Sequence, residues 1–202
     1  GNPSSIHKFG QESRAIIERS RLKIANLLGC DLSEIIFTGC GTESNNIAML
    51  GLLSKNDHLI TTSYEHPAVL KTANELELKG VEVTYIKPDQ NGIINCNEIK
   101  GAIKENTKLV SVMHVNNELG TENSIEEISQ ITNDMGVLFH TDAVQSIGKK
   151  NISLRNTKID LLSLSAHKFY GPKGVGALYM RNGVNLIPTY FGGGQEKDLR
   201  PG

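Results

Sequence analysis

The strongest constraint on the fold of this chain is the alternation of two hydrophobic periods along it. Short apolar runs, typical of buried strands, alternate with longer segments in which apolar residues recur every third or fourth position, as on one face of a helix. Successive parallel strands need a crossover connection, usually a helix, and this crossover is right-handed. The alternation therefore predicts one α/β domain with three α/β/α layers and a mostly parallel sheet.

Local signals place the boundaries of these elements. Gly29 ends the first predicted helix, and Pro67 suits the first turn of a later one. Ser124 and Glu127 have the spacing of a capping box, which predicts that a helix begins there. The predicted helices span residues 11–28, 43–53, 67–80 and 124–135. The predicted strands span residues 35–37, 58–62, 81–85, 108–115, 137–140, 159–163 and 174–180.

Composition argues against several functional classes. The chain has 21 Lys+Arg, 22 Asp+Glu and a net charge of -1, without the cationic clusters that direct nucleic-acid binding requires. No stretch approaches the roughly 18 apolar residues of a membrane span, and no signal-peptide pattern opens the chain, so we expect a cytoplasmic protein. Three cysteines without a CxxC pair disfavour a disulfide framework or a metal site. The chain begins at Gly1 and stops in a loop-like Arg-Pro-Gly, so we expect a piece of a longer protein.

A glycine loop follows the first predicted strand and leads into a helix. It reads Thr-Gly-Cys-Gly-Thr-Glu-Ser over residues 38–44. Backbone N–H groups at a helix start, with the helix dipole behind them, form an anion site suited to a phosphate. The loop matches neither the Walker sequence nor the GxGxxG fingerprint. The alternative is a plain tight turn in which Thr42 caps the helix.

Two ionisable residues follow later strands, at the edge where ligands of parallel sheets bind. Asp142 follows an apolar strand, where a carboxylate is costly unless it is paired with a cation or caps a helix. Lys168 follows another strand, and it is either a surface lysine or an amine available for Schiff-base chemistry. A phosphate loop, an acid and an amine together form the set that a pyridoxal phosphate enzyme needs.

Five motif blocks, at residues 37–45, 65–69, 114–120, 140–148 and 165–177, follow one another in a familiar order. Each block alone is a weak signal, but the order and the spacing together are specific. They resemble the cysteine desulfurases of the NifS/IscS type, within the class V aminotransferase group of fold-type I pyridoxal phosphate enzymes. The likeness runs through all 202 residues, including an early Gly-Asn-Pro-Ser-Ser segment. It implies that residues 1–202 form the cofactor-binding large domain of such an enzyme.

The resemblance implies a role for nine residues. Lys168 is similar to the Schiff-base lysine, and Asp142 to the partner of the cofactor's ring nitrogen. Gln145 resembles the residue that hydrogen-bonds the phenolic oxygen, and His66 the histidine that stacks on the ring and moves protons. Asn117 is similar to the asparagine near the cofactor oxygen and the substrate carboxylate. The remaining four resemble the phosphate ligands: Gly41, Thr42, Ser165 and His167.

Two of these positions have simpler alternatives. His66 precedes Pro67 and could be only the N-cap of a helix, and Asn117 could be only a turn residue. The glycine loop also departs from the family, which commonly has Thr-Ser-Gly-Ala-Thr there. The family's N-terminal segment, small C-terminal domain, catalytic-cysteine loop and substrate-carboxylate arginine have no counterpart in the sequence. None of Cys30, Cys40 and Cys96 lies in a matching context.

The resemblance implies a homodimeric sulfurtransferase that converts L-cysteine to L-alanine. The sulfur passes to an enzyme cysteine as a persulfide and then to an acceptor such as an iron–sulfur scaffold or a tRNA-thiolation partner. Selenocysteine lyase and class V aminotransferase activities are alternatives within the enzyme class. A catalytically incompetent domain that binds only the cofactor or a partner is an alternative of another class. We expect the 202-residue chain alone to be inactive, because the catalytic-cysteine loop is missing.

Overall fold

A computed structural model describes residues 1–202 as five α-helices and seven β-strands. The helices are α1 (Lys8–Leu28), α2 (Gly41–Leu50), α3 (Pro67–Leu78), α4 (Cys96–Ala102) and α5 (Ile125–Asp134). The strands are β1 (Ile35–Thr38), β2 (His58–Thr62), β3 (Glu82–Ile86), β4 (Thr107–Ser111), β5 (Leu138–Asp142), β6 (Leu161–Ser165) and β7 (Gly176–Met180). None of the helices combines the length and the hydrophobicity that crossing a bilayer requires.

The seven strands form one sheet in the order β1-β7-β6-β5-β4-β2-β3. Four adjacent pairs are parallel, from β3 through β2, β4 and β5 to β6. Strand β7 is the exception, because it runs antiparallel to both of its neighbours, β6 and β1. The structure thus confirms the predicted α/β fold with a mostly parallel sheet.

Hydrophobic side chains cover both faces of the sheet, which makes the fold three-layered. Adjacent residues on a strand point to opposite faces, and Leu59 and Ile60 of β2 accordingly belong to different core clusters. Helices α2 and α3 pack on the Leu59 face, through residues such as Ile47 and Val69. Helices α1, α4 and α5 pack on the Ile60 face, through residues that include Ile99.

Several predicted boundaries differ from the observed ones. Helix α2 begins at Gly41, two residues earlier than predicted, and the sequence reading missed α4, a short helix capped by the Asn95 side chain. The predicted capping box is wrong, because the Ser124 side chain makes no capping bond. The strand predicted over 108–115 ends at Ser111, after which Met113 bonds to the side chains of neighbouring loops.

A buried ion pair holds the C-terminal segment beside the start of the site. Arg21 of α1 and Glu196 are 2.7 Å apart, with only 10% and 7% of their side chains exposed. Glu196 also accepts the backbone N–H of Phe37 in β1 at 2.8 Å. These contacts fix β1, which leads directly into the glycine loop.

Candidate functional site

A cleft of about 260 Å³ opens at the carboxyl edge of the sheet. Strands β1, β2, β4, β5 and β6 all end at this edge, and the loops that follow them form the walls. Thirteen residues line the cleft, and all nine residues singled out from the sequence are among them. These nine are Gly41, Thr42, His66, Asn117, Asp142, Gln145, Ser165, His167 and Lys168. Their proximity is observed, whereas their individual roles remain predictions.

The start of α2 forms one wall of the cleft. Cys40 is the N-cap residue, without a side-chain capping bond, so the alternative in which Thr42 caps the helix is wrong. A Cβ atom built on Gly41 would lie 2.7 Å from Cγ2 of Val144 and 3.5 Å from Cβ of Ser165. The missing side chain therefore lets the helix start lie close to the loops after β5 and β6, with its first N–H groups free of helical partners.

Asp142 is the last residue of β5 and is 5% exposed. Its Oδ2 accepts a bond from Asn45 Nδ2 at 2.7 Å, and its Oδ1 accepts the backbone N–H of Val144 at 2.9 Å. Burial raises the pKa of Asp142 above its ordinary value, while these bonds and the charges of His66 and Lys168 act in the opposite direction. The bond to Val144 caps a turn rather than a helix, so the capping alternative describes only part of the contacts of Asp142.

His66 and Asn117 each have a structural role in the backbone, as an N-cap and as a turn residue, and each also lines the cleft. His66 is the N-cap of α3, and its Nδ1 accepts the backbone N–H of Ala68 at 3.1 Å. An accepting Nδ1 leaves the proton of a neutral imidazole on Nε2. Asn117 lies in a turn closed by the bond from Gly120 N to Asn116 O at 3.0 Å. Both residues nevertheless line the cleft.

The segment after β6 carries the remaining candidates. Ser165 ends the strand, and its hydroxyl lies 3.0 Å from Nδ1 of His167. His167 and the exposed Lys168 lie in a short 3₁₀ turn, Ala166–Phe169. Tyr170 ends this turn with φ 66°, a left-handed conformation that is uncommon for an aromatic residue. The tight turn places a hydroxyl, an imidazole and an amine on consecutive parts of one wall.

Four further residues line the cleft without having been given a site role from the sequence, and they are Cys40, Asn45, Met113 and Val144. Asn45 follows Gly41 by four residues in α2, so helical periodicity places both on one face. That spacing was the available signal for Asn45. Val144 is two residues beyond Asp142 in the loop after β5, and no pattern in the sequence distinguished it.

The three thiols differ in their positions relative to the cleft. Burial raises the pKa of Cys30 to about 12 and that of Cys96 to about 11. A thiol needs its thiolate form to act as a nucleophile, so these two are inert at neutral pH. Cys40 is the thiol that lines the cleft, at the end where α2 begins.

Comparisons with known proteins show which family the chain resembles. Residues 1–200 match the family described as aminotransferase class-V. The chain is 49% identical to a protein named cysteine desulfurase IscS from Dictyoglomus turgidum, covering 100% of this chain and 52% of that relative. It is 47% identical to a mitosomal cysteine desulfurase of Encephalitozoon cuniculi, covering 100% of this chain and 49% of the relative.

Solved structures show the same likeness. The structure titled SspA in complex with cysteine superimposes with a TM-score of 0.97 and 46% identity, covering 100% of this chain and 60% of that one. A NifS-like protein gives a TM-score of 0.96 and 43% identity, covering 100% of this chain and 57% of that one. The chain spans about half the length of the curated relatives it matches. Its matched residues, fold and cleft together show that the chain belongs to the aminotransferase class-V family.

Proposed function

We propose that residues 1–202 are the cofactor-binding large domain of a pyridoxal phosphate-dependent cysteine desulfurase. The observation that carries this proposal is the convergence in one cleft of a helix start, a buried carboxylate and an exposed lysine amine. The relatives named as cysteine desulfurases and the similar structure that holds cysteine support the choice of reaction. Neither alternative activity, selenocysteine lyase or aminotransferase, has a comparable observation in its favour.

The cleft fits pyridoxal phosphate in charge as well as in residue type. Asp142 is a buried carboxylate on the cleft wall whose two hydrogen-bond donors, Asn45 and Val144 N, are both uncharged. A buried carboxylate is costly unless a cation lies beside it, and a protonated heterocyclic nitrogen is such a cation. The start of α2 and the Ser165–His167 pair also line the cleft, where they offer donors to an anion.

When bound, pyridoxal phosphate supplies an aldehyde that condenses with amines and a ring that accepts electrons. In this proposal, four residues would hold the phosphate: Gly41, Thr42, Ser165 and His167. Gln145 would hydrogen-bond the phenolic oxygen of the cofactor, and Asn117 would lie near the cofactor oxygen and the substrate carboxylate. Asp142 keeps a proton on the ring nitrogen through its buried carboxylate. Each of these residues binds or orients, and none of them needs to move during the reaction.

Lys168 and His66 are the residues proposed to move protons. Lys168 would hold the cofactor through Nζ, and its amine would be the base that takes a proton from the substrate α-carbon. His66 presents Nε2 to the cleft because its Nδ1 is occupied by the N–H of Ala68. Nε2 is therefore the atom through which His66 would pass a proton to or from a group in the cleft.

The substrate in this proposal is L-cysteine, and its sulfur leaves as a persulfide. Cysteine and an enzyme thiol give alanine and an enzyme persulfide, so the carbon–sulfur bond breaks as a sulfur–sulfur bond forms. The raised pKa values of Cys30 and Cys96 disfavour both as this nucleophile at neutral pH. Cys40 directly precedes Gly41 and Thr42, which this proposal assigns to the phosphate and not to the reacting carbon, so we assign the nucleophile to a cysteine outside residues 1–202. The persulfide would supply an acceptor such as an iron–sulfur scaffold.

The proposal includes a cytoplasmic homodimer. Large apolar side chains are exposed on the surface, including Tyr170, which is two residues from Lys168 and fully exposed, and Phe191, which is 91% exposed. Exposed apolar groups of this kind mark association surfaces when they cluster. Sedimentation at micromolar concentration should show a dimer, and localisation of the tagged full-length protein would test its compartment.

The test of the proposed function is turnover of L-cysteine by the full-length protein loaded with pyridoxal phosphate. We expect alanine and sulfide in equal amounts in the presence of dithiothreitol, and no product from the Lys168→Ala variant. Lys23→Ala is the matched control, because Lys23 is an exposed lysine on α1, outside the cleft. Turnover of selenocysteine with none of cysteine would favour the lyase alternative and contradict the proposal.

A further inference from the structure

Two walls of the cleft belong to separate loops that must be held in register. His66 lies in the loop after β2, and Asn117 lies in the loop after β4. No hydrogen bond joins these two side chains, although both face the same cleft. The residues beside them are instead buried and bonded to one another.

The first connection between the two loops is a hydrogen bond from Asn116 to Tyr64. Asn116 is 4% exposed, and its Nδ2 donates to the backbone carbonyl of Tyr64 at 3.0 Å. Its Oδ1 accepts the backbone N–H groups of Glu118 and Leu119, both at 2.9 Å. One amide therefore shapes the turn that carries Asn117 and also fastens that turn to the loop that carries His66.

The second connection consists of the hydrogen bonds made by the side chain of Asn123, which is 1% exposed. Its Nδ2 donates to the hydroxyl of Tyr64 and to the carbonyl of Met113, both at 2.9 Å. The Tyr64 hydroxyl in turn donates to the carbonyl of Gly92 at 3.0 Å, and the Asn123 Oδ1 accepts the N–H of Ile94 at 3.1 Å. Asn123 thus joins the loops that follow β2, β3 and β4.

A third contact strengthens the same junction. Glu65, which is 4% exposed and directly precedes His66, accepts the backbone N–H of Met113 at 2.8 Å. It also accepts the hydroxyl of Thr62 at 2.7 Å. Buried polar networks of this kind are rigid when satisfied, because each broken bond leaves a polar group without water.

We propose that Tyr64, Asn116 and Asn123, here called the amide clamp, are positioning residues that set the separation of His66 and Asn117 across the cleft. The inference rests on the proposed function in one respect, namely that the group held between His66 and Asn117 is pyridoxal phosphate. The clamp residues do not line the cleft, so they act through their neighbours.

Two variants break hydrogen bonds of the clamp with little change in side-chain size. Tyr64→Phe removes one hydroxyl but keeps the ring, which packs against the core. Asn116→Asp keeps the acceptor for Glu118 and Leu119 but replaces the donor to Tyr64 with an oxygen. Tyr85→Phe is the matched control, because the Tyr85 hydroxyl bonds only the exposed Glu77, at 2.9 Å.

Amide hydrogen exchange in the cofactor-free protein tests the clamp independently of any ligand. Tyr64→Phe should speed exchange of the Asn116 and Gly120 amides in the other loop by up to about tenfold, the size expected for one buried hydrogen bond. Asn116→Asp should likewise speed exchange of the Ala68 amide beside His66. Exchange that changes only in the loop carrying the substitution, or changes equally in Tyr85→Phe, would overturn the proposal.

Cofactor binding gives the second readout. Both clamp variants should bind pyridoxal phosphate about tenfold more weakly than the unaltered protein and should show a changed visible circular dichroism of the bound cofactor, whereas Tyr85→Phe should do neither. Unchanged affinity and spectrum in both variants would overturn the positioning role. An unaltered protein that binds no pyridoxal phosphate would instead contradict the proposed function, and hydrogen exchange would then decide the clamp on its own.

Discussion

Replacing Asp142 with Asn should move cofactor affinity and protein stability in opposite directions. The variant keeps the size of the side chain and its acceptor for the Val144 N–H. Asn45 can keep its bond as well, because its Oδ1 has no partner and can accept from the new amide after the Asn45 side chain flips. The substitution therefore removes a charge while preserving the packing and the hydrogen bonds.

The magnitudes follow from the burial of the carboxylate. Losing one partner of a desolvated charge pair costs about 3–5 kcal/mol, so pyridoxal phosphate should bind hundreds to thousands of times more weakly. Without the cofactor, burial raises the pKa of Asp142 above the unfolded value of 3.8, so its charge destabilises the fold at neutral pH. The cofactor-free variant should therefore be more stable at neutral pH, and this gain should shrink as the pH falls toward the unfolded value of 3.8.

Absorbance titration with pyridoxal phosphate and urea denaturation of the cofactor-free protein measure the two effects. Asp160→Asn is the matched control for affinity, because Asp160 is another largely buried carboxylate whose pKa is raised by burial. It lies outside the cleft and bonds the N–H of Phe139 at 2.8 Å, so its neutralisation should leave cofactor affinity unchanged. Unchanged affinity in Asp142→Asn, or equal losses in both variants, would refute the assigned role of Asp142.

Three further predictions concern buried ionisable groups. Burial lowers the pKa of His140 from 6.5 to about 3, so the free energy of unfolding should fall by about 1.4 kcal/mol per pH unit as the pH drops through this window. The His140→Gln variant should flatten that slope in acid denaturation followed by circular dichroism. Burial raises the pKa of Glu65 from 4.5 to about 8, so stability should fall as the pH rises across that interval, and a Glu65→Gln variant with an unchanged slope would contradict this. Residues 1–202 alone should release no sulfide from L-cysteine, since Cys30 and Cys96 stay protonated and Cys40 lies beside the residues proposed to hold the phosphate; release that disappears in Cys40→Ser would contradict this expectation.

The sheet and the candidate site could be predicted because their signals are local. Each strand is a short apolar run, and the residues just after it necessarily meet at one edge of a parallel sheet. Asp142 and Lys168 could therefore be assigned to a common cleft from their positions after two strands. The antiparallel direction of β7 departs from the predicted alternation, and its signal was the lack of a predicted helix between residues 163 and 174, because a parallel pair needs a crossover connection.

The amide clamp shows what the sequence could not reveal. Asn116 is next to Asn117 in a motif, but its bond to Tyr64 spans 52 positions along the chain. A polar residue such as Asn123 would ordinarily be placed on the surface, and only the folded structure shows that it is buried among three loops. The Ser124–Glu127 pattern failed for the related reason that a suitable spacing does not guarantee the side-chain geometry of a cap.

The most direct test of the account is to find which residue holds the cofactor. The protein is incubated with pyridoxal phosphate, reduced with borohydride and digested, and the modified peptide is identified by mass spectrometry. We expect one major modified residue, Lys168, and no stable adduct in the Lys168→Ala variant. Stable modification of a different lysine, with Lys168 unmodified, would contradict the assignment of this cleft as a pyridoxal phosphate site.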